Sequence, residues 1–250
     1  MSNHLSLRSG NPVLKANTFI QRQTTIDTGT MTITGTVNKT ALGLLLLMTT
    51  AIFTWNMAPT DPRISALMMV GIFGGLIAAI ITAFKRHLAP YTTPIYALLE
   101  GLALGGISRF FETLYPGIVN QAVFLTFGTL AALLFAYQSG LIKPTENFKL
   151  GIVAATGGIF FVYIISFILG LFGVQVPLIH SNSNFGILFS FGVVVIAALN
   201  LVLDFDFIEE GAEIGAPKYM EWFGAFGLLV TLVWLYLEIL HLLAKLQSRR

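Results

Sequence analysis

Apolar stretches long enough to cross a bilayer recur through this chain at short intervals, and they constrain its fold more than any other feature. A helix needs about 20 residues to span ~30 Å of hydrocarbon. Stretches of that order run over Thr40–Trp55, Ile64–Phe84, Pro94–Phe111, Gln121–Tyr137, Leu150–Phe172, Phe185–Phe207 and Phe223–Leu246. Between them stand the residues that stop helices: Pro59 and Pro62, Pro90 and Pro94, Pro116 with Gly117, Pro144, Pro177 and Pro217. The spacing predicts an all-α integral membrane protein, a bundle of seven transmembrane helices. Composition agrees, because hydrophobic residues fill 55% of the 250 positions and charged ones only 10%, with a mean hydropathy of +0.80. A soluble domain carries charge at about a quarter of its positions, so this chain cannot build a surface that faces water all round.

The same numbers narrow the function. A formal charge of +2, from scattered basic residues, gives no footprint for nucleic acid. Cysteine is absent, which removes disulfides, thiolate metal sites and Cys nucleophiles. The metalloprotease HExxH, the nucleophile elbow GxSxG and the phosphate loop GxxxxGK[ST] are also missing. His4, His87, His180 and His241 show no metal-ligand spacing. No catalytic residue, enzyme activity or cofactor is therefore expected. Residues 1–36 read as a polar, flexible tail without a secretory signal, ahead of a membrane domain over residues 37–250. Within the tail, Asp27 to Thr36 alternates and is rich in β-branched residues, which suggests a short extended segment. With seven spans, nine of the fourteen basic residues share one side with the N-terminus. The positive-inside rule then places that terminus in the cytoplasm, although Lys245, Arg249 and Arg250 pull the C-terminus the same way.

Against this background the acids inside apolar stretches stand out. A charged carboxylate deep in a bilayer costs at least ~2.5–3.5 kcal/mol, so such a group usually faces a bundle interior, a partner or water. Glu238 is flanked by Leu235, Leu237, Ile239 and Leu240, with Lys245 the nearest basic residue. Asp204 and Asp206 end the sixth span, ahead of Glu209, Glu210 and Glu213. An acidic helix end among headgroups accounts for Glu209 to Glu213 but less well for Asp204, because Phe205, Phe207 and Ile208 carry the apolar character past it. A hairpin between the last two spans could bring Asp204 to Glu238. Two carboxylates a few ångströms apart cannot both ionise cheaply, so such a pair would titrate as one unit, and its oxygens could accept a passing calcium ion. Glu100, in the third span, is either a further wall of the same cavity or an interfacial residue near Pro94. Lys85 and Arg86, which end the second span, read as a cytoplasmic anchor or as a latch toward a neighbouring acid. Gly71 with Gly75 and Gly101 with Gly105 have the spacing that lets helix backbones approach in lipid.

From about Val37 to Leu246 the chain resembles the Bax inhibitor-1 family, and in particular its bacterial branch. The sixth span carries Leu201-Val-Leu-Asp204-Phe-Asp-Phe-Ile208, similar to the family's aliphatic run, acid and Ile-rich exit, and the last span carries the Leu-Tyr-Leu-acid motif as Leu235-Tyr236-Leu237-Glu238-Ile239. Arg8-Ser-Gly-Asn-Pro12 and Gly35-Thr-Val-Asn-Lys39 are similar to a bacterial subgroup with a long polar N-terminus. The resemblance implies seven helices with the last one wrapped by the other six. It also implies a pH-sensitive calcium leak controlled by an acidic pair, Asp204 and Glu238, with Arg86 or Lys85 as a basic latch. Here the last-helix acid is Glu where the family usually has Asp, and the connection between the last two spans is longer than usual. The implied setting is a bacterial inner membrane, with lipid, protons and calcium as the interacting species. The competing expectation is a membrane-embedded interaction protein that regulates a protease or a stress or cell-death partner without transport of its own.

Overall fold

The computed structural model describes residues 29–58, 60–173 and 183–249. Among these it has seven α-helices: α1 (Ile33–Trp55), α2 (Arg63–Phe84), α3 (Ala89–Leu114), α4 (Ile118–Gln138), α5 (Glu146–Leu171), α6 (Asn184–Glu213) and α7 (Met220–Gln247). A single 3-10 turn, Arg86–Leu88, joins α2 to α3. Each apolar stretch is helical, and six of the seven helices are long and apolar enough to cross a membrane. The exception is α3, whose sequence is diluted by Thr92, Thr93, Pro94, Glu100, Arg109 and Glu112.

The start of α1 differs from the sequence expectation. The helix begins at Ile33, so Ile33 to Thr36 belong to it and not to a tail, while residues 1–28 lie outside the described residues. Thr32 stops the extended segment by capping the helix, its side chain accepting from the Gly35 amide at 3.0 Å. What is extended is short, and its Thr30 makes an isolated bridge with Pro217. The β-branched residues that suggested a strand are tolerated because their hydroxyls turn back on the helix. Thr36 donates to the Thr32 carbonyl at 3.0 Å and Thr40 to the Thr36 carbonyl at 2.9 Å, and both side chains are buried.

The chain divides into two compact units. Among the described residues one holds those from 29 to 119 and from 206 to 230, the other those from 120 to 205 and from 231 to 249. In the first unit α3 packs against both α1 and α2, which explains how a helix with so many polar residues is accommodated. The approach is backbone to backbone. A Cβ at Gly101 would run into Leu47 O and the Thr50 hydroxyl of α1, and one at Gly105 into Ala51 O and the Thr54 hydroxyl. On the other side of α3, Gly71 of α2 lies against Leu99 O and the Ala103 amide. The glycine pairs are therefore packing contacts. The start of α7 completes this unit, with Tyr96 edge-on to Phe226 at 5.1 Å and Thr93 donating to Trp222 O at 3.2 Å.

In the second unit α4, α5, the first part of α6 and the rest of α7 are tied by polar contacts inside apolar surroundings. Asn200 of α6 donates to Thr156 of α5 at 2.9 Å, Tyr163 of α5 to Glu238 of α7 at 2.8 Å, and Lys245 of α7 to Ser190 of α6 at 2.7 Å. The Tyr137 ring of α4 meets Phe205 of α6 at 5.7 Å. Of the six apolar helices α7 buries the largest share of its residues.

Replacing Gly105 by Ala should destabilise the protein by about 1–3 kcal/mol through overpacking. Gly128→Ala, where nothing stands within reach of a new Cβ, should be neutral or slightly stabilising. Thermal unfolding in detergent compares the two, and equal effects would contradict the close α1–α3 approach.

Candidate functional site

Glu238 lies two thirds of the way along the 28-residue α7 and is 6% exposed. Its Oε1 accepts two hydrogen bonds, from the Tyr163 hydroxyl at 2.8 Å and from Trp234 Nε1 at 3.2 Å. Trp234 is one turn earlier on the same helix face, where an i,i+4 pair meets. Tyr163 comes from α5, within the run Phe160-Phe161-Val162-Tyr163. Both donors are uncharged. They orient the carboxyl and offset part of its desolvation, and the cation that acts on it is Lys245, two turns on along the same helix and itself hydrogen-bonded to Ser190 and Gly186 O.

Asp204 is 1% exposed, on α6 among the buried Leu201, Val202, Leu203 and Phe205. It belongs to the same unit as Glu238, at a different height. Lys245 reaches Ser190 Oγ and Gly186 O, and Arg249 reaches Asn184, which makes α6 and α7 antiparallel neighbours here. Counting back from Lys245 by two turns sets Glu238 level with the stretch from Val193 to Ala197. Asp204 then lies about two to three turns further on, ~10–16 Å at ~1.5 Å per residue. The two acids thus occupy successive levels of one unit, and Glu238 takes its hydrogen bonds from Tyr163 and Trp234.

The other sequence candidates fall in the first unit. Arg86 is half-buried in the 3-10 turn, its guanidinium 5.5 Å above the Phe223 ring. Partial burial lowers its pKa, opposed by Tyr219, without bringing deprotonation within reach. Lys85 is the exposed C-cap of α2, and Asp206 is half-buried on α6. Glu100 is also half-buried, with its Oε2 2.9 Å from where a Cβ on Gly75 would stand. Among the described residues no three His, Asp or Glu side chains converge to hold a metal ion.

Sequence reasoning passed over the most heavily bonded acid. Glu221, in the first turn of α7, is fully buried. Lys39 of α1 is ion-paired with its Oε2, and Lys218 with its Oε1 at 2.7 Å. Thr32 adds its amide at 3.0 Å and its hydroxyl at 2.8 Å. Next to it the Met31 amide donates to Ala216 O at 2.7 Å, so the entry to α1 is bound to the entry to α7. The available signal was an acid in a helix first turn, favoured by the helix dipole, just after Lys218.

Buried acids on long apolar helices, with the polar contacts kept inside, define a polytopic α-helical membrane protein. Its family follows from comparison: the Bax inhibitor 1 like model matches residues 11–248, and the chain belongs to that family. No curated protein and no solved structure matches it.

Glu221→Ala would strand the two ammonium groups that now share its carboxylate. Removing one partner of a buried pair costs about 3–5 kcal/mol. The half-exposed Lys218 places this case at the low end. Chemical or thermal unfolding in detergent should show that loss, and a change below about 0.5 kcal/mol would contradict the geometry of the cluster.

Proposed function

We propose that this protein is a pH-sensitive, calcium-permeable leak channel in which Glu238 and Asp204 are the controlling carboxyls. The single observation that carries the reading is the environment of Glu238, a carboxyl buried on the last helix whose hydrogen bonds come from neutral groups. A carboxylate held that way in hydrocarbon remains costly, and the cost is relieved in two ways. A proton neutralises it, which favours the closed state. A cation stabilises its charged form, which favours permeation. Asp204, about two to three turns away along α6, supplies a second station for the same ion. The family supports the reading through its implied architecture, six membrane helices wrapped around a seventh and last one, with a basic group near the end of the second helix. Arg86 and Lys85 occupy that position here, Arg86 against Phe223 of α7.

In this reading the protein is not an enzyme and needs no resident cofactor. It sits in a bacterial inner membrane with the N-terminus in the cytoplasm, following the distribution of Lys and Arg. Calcium and protons are its ligands, and lipid is its main partner.

Purified protein in liposomes loaded with a calcium indicator should leak calcium at neutral to alkaline pH and close on acidification. Glu238→Gln and Asp204→Asn should each remove most of that pH dependence. If both variants keep the wild-type flux and profile, the carboxylate control is wrong. If the wild type passes no calcium at any pH, the leak is wrong and a regulatory membrane partner becomes the better reading.

Tyr163→Phe gives a graded test. The phenol hydrogen bond favours the charged form of Glu238, so its loss should move the opening limb to higher pH. A hydrogen bond to a charged group is worth about 1.5–3 kcal/mol, equivalent to about one to two pH units. A shift to lower pH would contradict the assigned contact.

A further inference from the structure

We infer that Glu100 is a proton-binding site at mid-depth of the unit formed by α1, α2 and α3, built on elements other than those that hold Glu238. Its depth follows from α2. Gly75 is near the middle of that 22-residue apolar helix, about 14–18 Å from either end at ~1.5 Å per residue. A Cβ on Gly75 would stand 2.9 Å from Glu100 Oε2, so the carboxyl lies against the α2 backbone where a side chain is missing. The next position of α3, Gly101, is pressed on α1 at Leu47 and Thr50, which fixes the height of Glu100 from the other side.

The surroundings hold no countercharge for it. α1 has no ionisable residue from Thr40 to Trp55, and α2 has none after Arg63. On α3 itself Tyr96 lies one turn earlier, its ring turned to Phe226, and Arg109 lies over two turns later, over Trp55 at 5.6 Å. Glu112 of α3 accepts from the Gly117 and Val119 amides at 2.7 and 3.1 Å. In the start of α7 the acid is Glu221, engaged by Lys39 and Lys218, and Arg86 is placed over Phe223. His87 and Lys85 are exposed beyond the end of α2, and Asp206, Glu209, Glu210 and Glu213 belong to the far end of α6. Among the described residues no hydrogen bond or ion pair forms to the Glu100 carboxyl.

The chemistry then selects the ligand. A resident divalent cation asks for six to eight oxygens, and among the described residues Glu100 belongs to no group of three His, Asp or Glu side chains that could hold one. A proton asks for one. The burial of Glu100 is intermediate rather than complete. Glu100 therefore gives the chain a second protonation equilibrium that does not depend on calcium flux.

A hydrophobic carbodiimide tests this on the intact protein in membranes. The protonated acid passes its proton to a carbodiimide nitrogen while its oxygen attacks the central carbon. The O-acylisourea formed then rearranges to a stable N-acylurea. Peptide mapping of the wild type should place the label on Glu100, with at least a tenfold fall in labelling rate between acidic and alkaline pH. Glu238→Gln should retain the label, and Glu100→Gln should lose it together with a protonated-carboxyl C=O band in the infrared spectrum. Gly75→Ala, which puts a methyl where the carboxyl rests, should change the labelling rate several-fold while the helix content holds. No label on Glu100 at any pH, or labelling that ignores pH, would overturn the proposal. None of these readouts uses ion flux, so they stand or fall apart from the leak reading.

Discussion

A polar atom inside a bilayer has to find its partner within the protein, because hydrocarbon offers none, and this requirement organises the whole chain. It makes the elements helical, since a helix satisfies its own backbone. It also accounts for the threonines. Thr82 donates to Ala78 O at 2.7 Å and Thr126 to Ala122 O at 2.8 Å, each one turn back along its own helix. Other side chains bond across to the next helix. Asn200 reaches Thr156 as well as Ile196 O of its own helix, and Lys245 reaches Ser190 and Gly186 O. Such cross-ties are worth only about 1–2 kcal/mol each in membranes, but they fix which faces meet. Close glycine contacts do the rest, through dispersion that requires backbones to touch.

Three acids stand differently toward that requirement. Glu221 has two ammonium groups and two threonine donors, so its negative charge is permanently compensated. Glu238 has two neutral donors, which hold the carboxyl in place, and Lys245 two turns on. Glu100 has the backbone of Gly75 beside it. The compensated acid is suited to holding two helix entries together, because its partners come from α1 and from the residues just before α7. The other two can each exist with and without a proton, and that distinction separates a structural carboxylate from a responsive one.

The helices were legible in the sequence because lipid exposure leaves long apolar runs broken by proline and glycine, and each run became a helix. The start of α1 was less legible. Thr30 to Thr36 has the composition of a strand, and only the cap at Thr32 and the back-bonded hydroxyls show why it turns helical. The third span was read as one more crossing, yet α3 is too polar to qualify by composition alone, and its shelter between α1 and α2 is a tertiary fact. Glu238 could be found from its neighbours in sequence because the signal is local, one acid in an apolar run. Its partner Tyr163 is 75 residues away, and Lys39 is 182 residues from Glu221. Pairings at such separations leave no local pattern, and a Tyr beside two Phe looks like any lipid-facing aromatic.

The register between α6 and α7 is the point where motif and structure diverge most usefully. A motif with an acid on each of two successive helices invites the picture of two carboxyls in contact. Helix geometry does not require it: moving one helix by two turns separates the acids by ~10 Å while keeping both buried on the same pair of helices. Acids in contact share one proton, and their titration is a property of the pair. Acids at successive levels titrate almost separately, and a cation between them meets one carboxyl at a time. The Lys245–Ser190 contact that sets their register thus bears directly on which of the two behaviours this chain can have.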